Sequence, residues 1–198
     1  MEPENSKDTK TNIILALLEL GEEKGFSNTS LADLAQVVGI KKASIYSHFE
    51  SFKDLTDSTI KYCQNLLASK NFIVDFKAKN AEDLLSSLVD SFLMTFAEKP
   101  LCSYFSIICQ QRLFNQDFED LYNNLVNMIT ARIRVALEYC IQRSWLDIKD
   151  SDIASDYFAS ALIDCLCTVI MNNKNKPSRN NTDWELERLV QGMLSLFG

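Results

Sequence analysis

The sequence predicts an all-α protein of about nine helices, and three observations carry that expectation. Glycine and proline, the residues helix interiors tolerate worst, number only five and three in 198. No stretch sustains the apolar–polar alternation of a half-buried strand. Between capping residues, apolar side chains recur three and four positions apart, the spacing of one helix face. Residues 1–55 are expected to form a small domain of three helices, and residues 56–198 a larger helical domain.

The first helix is expected from about Thr9 to Lys24, with Ile13, Ile14, Leu17 and Leu18 on one face. Gly25 can take a positive φ just beyond its end. Asn28 and Thr29 are capping candidates for the second helix. Its buried stripe is Leu31, Leu34, Ala35 and Val38, and Gly39 ends it. A short segment from Lys41 to Ser47 follows, with Ile45 turned inward. Ser51, with Asp54 three positions on, has the form of a capping box. It opens a helix to about Ser69 through Leu55, Thr59, Tyr62, Leu66 and Leu67.

From Ala81 to Phe96 the sequence reads as an unbroken helical stripe that stops before Pro100. A helix from Leu101 to about Phe114 is next. A longer one from Asp117 to Arg143 buries Phe118, Leu121, Tyr122, Leu125, Ile129, Ile133, Leu137 and Cys140. Ser151 and Asp152 open the eighth helix, which reaches about Asn172. After a polar loop holding Pro177, Thr182 and Glu185 form a second capping box and start the ninth.

The last two helices are the most apolar. Between Tyr157 and Met171, apolar residues surround the axis, and a helix apolar on all sides must be covered on all sides. The simplest cover is a second copy of the chain. The expected homodimer interface is Phe158, Leu162, Leu166 and Ile170 on the eighth helix with Leu186, Val190, Met193 and Phe197 on the ninth, forming a four-helix bundle with their partners.

Composition narrows the function. The apolar share of 46% and charged share of 24% are those of an ordinary globular protein. No segment reads as ~20 uncharged apolar residues, and the first residues lack the basic start and apolar run of a signal peptide. A cytoplasmic protein without a membrane partner is expected, with its cysteines reduced. The six cysteines, at 63, 102, 109, 140, 165 and 167, include no C-x-x-C pair. They read as small core residues rather than metal ligands, and no cofactor is expected. A net charge of −7 disfavours coating of nucleic acid without sequence preference, but allows a local basic patch.

One such patch exists. Residues 29 to 49 read TSLADLAQVVGIKKASIYSHF, in which a short amphipathic helix ends at a glycine and a second short helix follows a tight turn. That is the helix-turn-helix pattern. Ala35 is small enough for the helices to cross closely, Gly39 allows the turn, and Ile40 and Ile45 anchor the second helix. Lys41, Lys42, Ser44, Tyr46 and His48 are left facing outward, a set suited to phosphate oxygens and base edges. Over residues 1 to 60, however, six Lys/Arg stand against ten Asp/Glu, a net −4.

Residues 13 to 55 resemble the N-terminal domain of the TetR family of bacterial transcription regulators. The resemblance rests on Gly25-Phe26, Thr29-Ser30-Leu31, Asp33-Leu34-Ala35, Gly39-Ile40 and Ala43-Ser44-Ile45-Tyr46, then His48-Phe49, Ser51, Lys53 and Leu55. It covers about a quarter of the chain. It implies that Thr29 and Ser30 contact phosphate from the second helix's N-terminus, that Tyr46, His48 and Lys53 contact phosphates, and that Lys42, Ala43 and Ser44 enter the major groove. Phe49 and Leu55 would be packing residues. Lys41 departs from the family, which has a capping serine or threonine there, and places a cation near the phosphates instead.

The resemblance further implies a homodimeric repressor on a palindromic double-stranded DNA operator, released by a small-molecule effector. Met94, Tyr104, Phe105, Cys109, Leu125 and Phe158 are candidates to line an effector pocket and are equally suited to plain core. An enzyme is not expected, because the sequence offers one histidine and no recognisable catalytic motif. A helical ligand- or partner-binding protein that does not read DNA, and a thiol sensor, remain alternatives.

Overall fold

The computed structural model describes residues 4–72, 74–175 and 179–197, and side-chain surroundings for 8–72, 74–170 and 187–196. The described residues form nine α-helices and no strand. The helices are α1 (Glu4–Lys24), α2 (Leu31–Val38), α3 (Lys42–Tyr46), α4 (Phe52–Ala68) and α5 (Ala81–Ala97), then α6 (Leu101–Gln111), α7 (Gln116–Gln142), α8 (Ser151–Asn175) and α9 (Arg179–Phe197). A single 3-10 turn, Phe26–Asn28, joins α1 to α2.

The chain divides into two compact units. The first is Met1–Lys70 with Lys99–Asn115, and the second is Asn71–Glu98 with Gln116–Gly198. This differs from a boundary at residue 55 in two ways. α4 is one uninterrupted helix through residue 55, and α6 belongs with the N-terminal helices, packing on α1 and α4.

In the first unit, Ile13, Leu17 and Leu18 of α1 meet Leu34, Ile45, Phe49 and Leu55 in a core that is almost fully closed to solvent. α4 adds Thr59 and Cys63, with Tyr62, Leu66 and Leu67 only half-buried. From Leu101 to Ile108 every residue of α6 is buried, including Ser103 and Ser106. Ser103 satisfies its hydroxyl by donating to Glu22 Oε2 of α1 at 2.6 Å, and Lys99 reaches Glu19 at 2.9 Å. Close packing also explains Gly21: a Cβ there would overlap the Phe26 ring.

In the second unit, α5 is central and packs on α7, α8 and α9. Its stripe Leu84, Leu85, Leu88, Val89, Phe92, Leu93 and Phe96 is wholly buried, and each such side chain gains about 1.5–3 kcal/mol from leaving water. Phe72, from the segment before α5, stacks on Phe92 with ring centroids 4.3 Å apart. The same segment is tied to α7 where the Tyr139 hydroxyl donates to the Phe76 carbonyl at 2.9 Å.

Two helix ends differ from the sequence pattern. α1 begins by Glu4, five residues before Thr9, and α9 begins at Arg179, so Thr182 lies inside the helix rather than at its cap. The stretch Ser151–Ile170 of α8 is, by length and composition, sufficient to cross a membrane, contrary to the sequence reading. Much of it is nonetheless buried in its own unit: Ala154, Phe158, Ala159, Leu162, Cys165, Leu166, Val169 and Ile170 all face the core.

Candidate functional site

The helix-turn-helix is built by its caps and its apolar anchors. Ser30, not Asn28 or Thr29, is the N-cap of α2. Its hydroxyl accepts from the Asp33 amide at 3.2 Å while Asp33 Oδ2 accepts from the Ser30 amide at 2.9 Å, a complete capping box. Asp33 Oδ2 also accepts from the Ser30 hydroxyl at 2.9 Å and from Lys24 Nζ at 2.7 Å. The Lys24 ammonium, with the Ser30 amide and hydroxyl, holds the Asp33 carboxyl well below its ordinary value, at about 2. Gly39 closes α2 in the left-handed conformation, φ 74°, with its amide turned back toward Gln36.

α3 is five residues long and stands on Ile45, whose carbonyl accepts from the amides of both His48 and Phe49 at 3.0 Å. Ile45 and Phe49 are buried. Around them Lys41, Lys42, Ala43 and Tyr46 are exposed, and Ser44 and His48 half-buried. Lys41 is the N-cap by position, with extended backbone (φ −75°, ψ 145°), and makes no side-chain cap bond. A cation at that end meets the positive pole of the helix.

Several expected contact residues occupy less open positions. Thr29 is buried, and its hydroxyl donates to the Gly25 carbonyl at 3.0 Å. The Ser30 hydroxyl proton is committed to Asp33. Neither side chain offers a free O–H to a phosphate. Lys53 is exposed but paired to Asp57 at 3.1 Å, one turn along α4. The opposite surprise is Lys10 of α1, whose Nζ lies 5.1 Å from the centre of the Phe49 ring. Its position three residues before Ile13 put it on the face turned toward the core, which was the available signal.

Most of the expected interface residues of α8 and α9 face inward, and Phe158 and Met193 also line the hollow between the two helices. Phe158, Leu162, Leu166, Ile170, Val190 and Met193 are all buried within the chain, so they serve its own core. The side chains of Leu186 and Phe197 lie outside the described residues. The outer faces of α8 and α9 instead border an open hollow of about 560 Å³, with Tyr157, Ala161 and Asp164 on one side and Arg188, Leu189 and Leu196 on the other. Tyr157 and Leu196 are each 73% exposed, and Ile153 55%.

The six candidate effector residues are divided between the two units. Tyr104, Phe105 and Cys109 are in the first unit, and Met94, Leu125 and Phe158 in the second, so no cavity within one unit gathers them. Met94 is 51% exposed. Of the six, only Phe158 lines the α8–α9 hollow among the described residues. No group of three His, Cys, Asp or Glu among the described residues is arranged to hold a metal ion.

Comparison with known proteins shows what this architecture resembles. Residues 13–58 match the family described as bacterial regulatory proteins, tetR family. That match covers about a quarter of the chain. It is 33% identical over 95 residues to the biofilm operon icaADBC HTH-type negative transcriptional regulator IcaR of Staphylococcus aureus strain Newman, a match covering 48% of this chain and 51% of that one. The corresponding regulator of Staphylococcus epidermidis is 32% identical over 74 residues, 37% of each chain. The chain thus spans about half the length of the Staphylococcus aureus relatives it matches. Similar folds include a TetR transcriptional regulator from Chloroflexus aurantiacus J-10-FL, with a TM-score of 0.72 at 18% identity over 96% of both chains. Another is a transcriptional regulator from Aquifex aeolicus VF5, with a TM-score of 0.65 at 20% identity over 96% of this chain and 99% of that one.

Proposed function

We propose that the chain is a cytoplasmic transcriptional repressor that binds a palindromic operator as a homodimer. The observation that carries this reading is the α3 surface, where Lys41, Lys42, Ala43 and Tyr46 are exposed around a buried Ile45 and Phe49. Lys42, Ala43 and Ser44 enter the major groove, and Lys41, Tyr46 and His48 contact the flanking phosphates. At the start of α2 the contact passes from the side chains of Thr29 and Ser30 to the amides of Leu31 and Ala32, which helix geometry leaves without intrahelical acceptors. The matching relatives, described as negative regulators, support repression rather than activation.

The second copy docks on the hollow between α8 and α9, through Ile153, Tyr157, Ala161 and Leu196. Exposed aromatic and aliphatic side chains beside an apolar recess are the kind of surface a dimer buries. A small-molecule effector relieves repression by binding one spacing of the two α3 helices better than the other. The chain does no chemistry of its own on either ligand. The deciding measurement is operator affinity of Lys42→Ala and Tyr46→Ala proteins. Both should bind at least about tenfold more weakly while sedimenting as the wild type does. Unchanged affinity in both would overturn the reading.

A further inference from the structure

We propose that Lys10, on α1 and outside the helix-turn-helix, is a further phosphate-contacting residue; this rests on the reading of α3 as the DNA-facing helix. The Phe49 ring is 2% exposed, and Lys10 Nζ stands over it at 5.1 Å from the ring centre. That contact fixes the ammonium relative to α3, because the Phe49 and His48 amides both bond the Ile45 carbonyl. Lys10 is therefore held beside the C-terminal end of α3, while Lys41 and Lys42 stand at its beginning.

The kind of partner matters. Lys24 is 2.7 Å from Asp33, Lys53 is 3.1 Å from Asp57 and Lys99 is 2.9 Å from Glu19, so each of these charges is neutralised inside the first unit. Lys10, Lys41 and Lys42 make no ion pair among the described residues. A ring attracts an ammonium by its quadrupole without cancelling its charge or taking its N–H donors. Lys10 is thus both positioned and still cationic. Positioning lowers the side-chain freedom lost on contact, and a remaining charge can displace a counterion from the DNA. The three lysines bracket α3 on a unit that is otherwise acidic.

The test uses the full-length protein and a duplex selected by the wild type from a random-sequence pool, with affinity followed between about 50 and 200 mM salt. Lys10→Met keeps the stem over the ring and removes the charge. It should weaken binding several-fold at low salt and reduce the slope of log affinity against log salt by about 0.9 for each protomer. Lys10→Arg should keep both near the wild type, and the melting temperature of Lys10→Met should not fall. A Lys10→Met protein with the wild-type slope, measured beside a Lys42→Ala protein that has lost affinity, overturns the inference and leaves the α3 reading standing. If Lys42→Ala and Tyr46→Ala also bind as the wild type does, or the pool yields no preferred sequence, the α3 reading falls and Lys10 falls with it.

Discussion

Asp33 shows how far one carboxylate can organise a small domain. It accepts from the Ser30 amide and hydroxyl and from Lys24, which joins the cap of α2 to the end of α1. Its carboxyl titrates at about 2 in the fold against an ordinary 3.8. A depressed folded value means the cap is fully stabilising above 3.8 and is lost as pH falls toward about 2. Urea midpoints measured across that window should therefore drop, and an Asp33→Asn protein should show a smaller drop. The cap was readable from sequence in principle. Asn28, Thr29 and Ser30 are adjacent candidates, and only Ser30 has an acidic residue three positions on. Thr29 was excluded by a contact that spacing does not display, its bond to the Gly25 carbonyl.

The cysteines are also decided residue by residue. Burial pushes the Cys63 thiol up to about 12 and Cys140 up to about 11, so both stay protonated at neutral pH. Cys109 and Cys167 are only partly covered. Alkylation of the native protein should modify Cys109 and Cys167 first and spare Cys63 and Cys140 until it unfolds, which peptide mass mapping would show. Rapid native-state labelling of Cys63 would contradict its burial and revive a thiol-sensing role.

At the scale of elements, α3 is the least secure helix and the most exposed to function. Five residues supply few internal hydrogen bonds, and Lys41 at its N-cap contributes no side-chain bond. Lys41→Ser should add about 1 kcal/mol of stability, read as a higher urea midpoint, and should also lower operator affinity and its salt dependence. Gains in both stability and affinity would show that Lys41 does not face DNA. Helix existence was legible throughout, because the apolar spacing of α2, α5 and α7 reflects surfaces that must leave water. Helix ends were less so. Thr182 has the spacing of a cap yet lies within α9, since a capping residue can also ride inside a helix that continues past it.

At the scale of the whole molecule, periodicity says that a face is buried but not which core buries it. That is why α6, readable as a helix, could not be assigned to the N-terminal unit from sequence. The same gap affected α8. Its largest apolar residues, Phe158, Leu162, Leu166 and Ile170, fill their own unit, and Ile153, Tyr157 and Ala161 are the ones left outside. Tyr157→Asp together with Leu196→Asp should yield a monomer by sedimentation and cost operator affinity roughly a hundredfold, the penalty of losing a second linked contact. A dimer that survives both changes would move the interface elsewhere.

If the chain is the repressor proposed above, the ion pairs inside the first unit have a consequence for how it lives on a chromosome. Lys24, Lys53 and Lys99 are paired with the chain's own carboxylates, and residues 1 to 60, which hold the first two, carry a net −4. Random duplex then offers it little purchase, because attraction to arbitrary sequence comes almost entirely from unspent positive charge. A genome presents on the order of 10⁶–10⁹ decoy positions for each true one. A regulator that ignores most of them needs few copies per cell to keep its own site filled, and loses few to idle parking elsewhere.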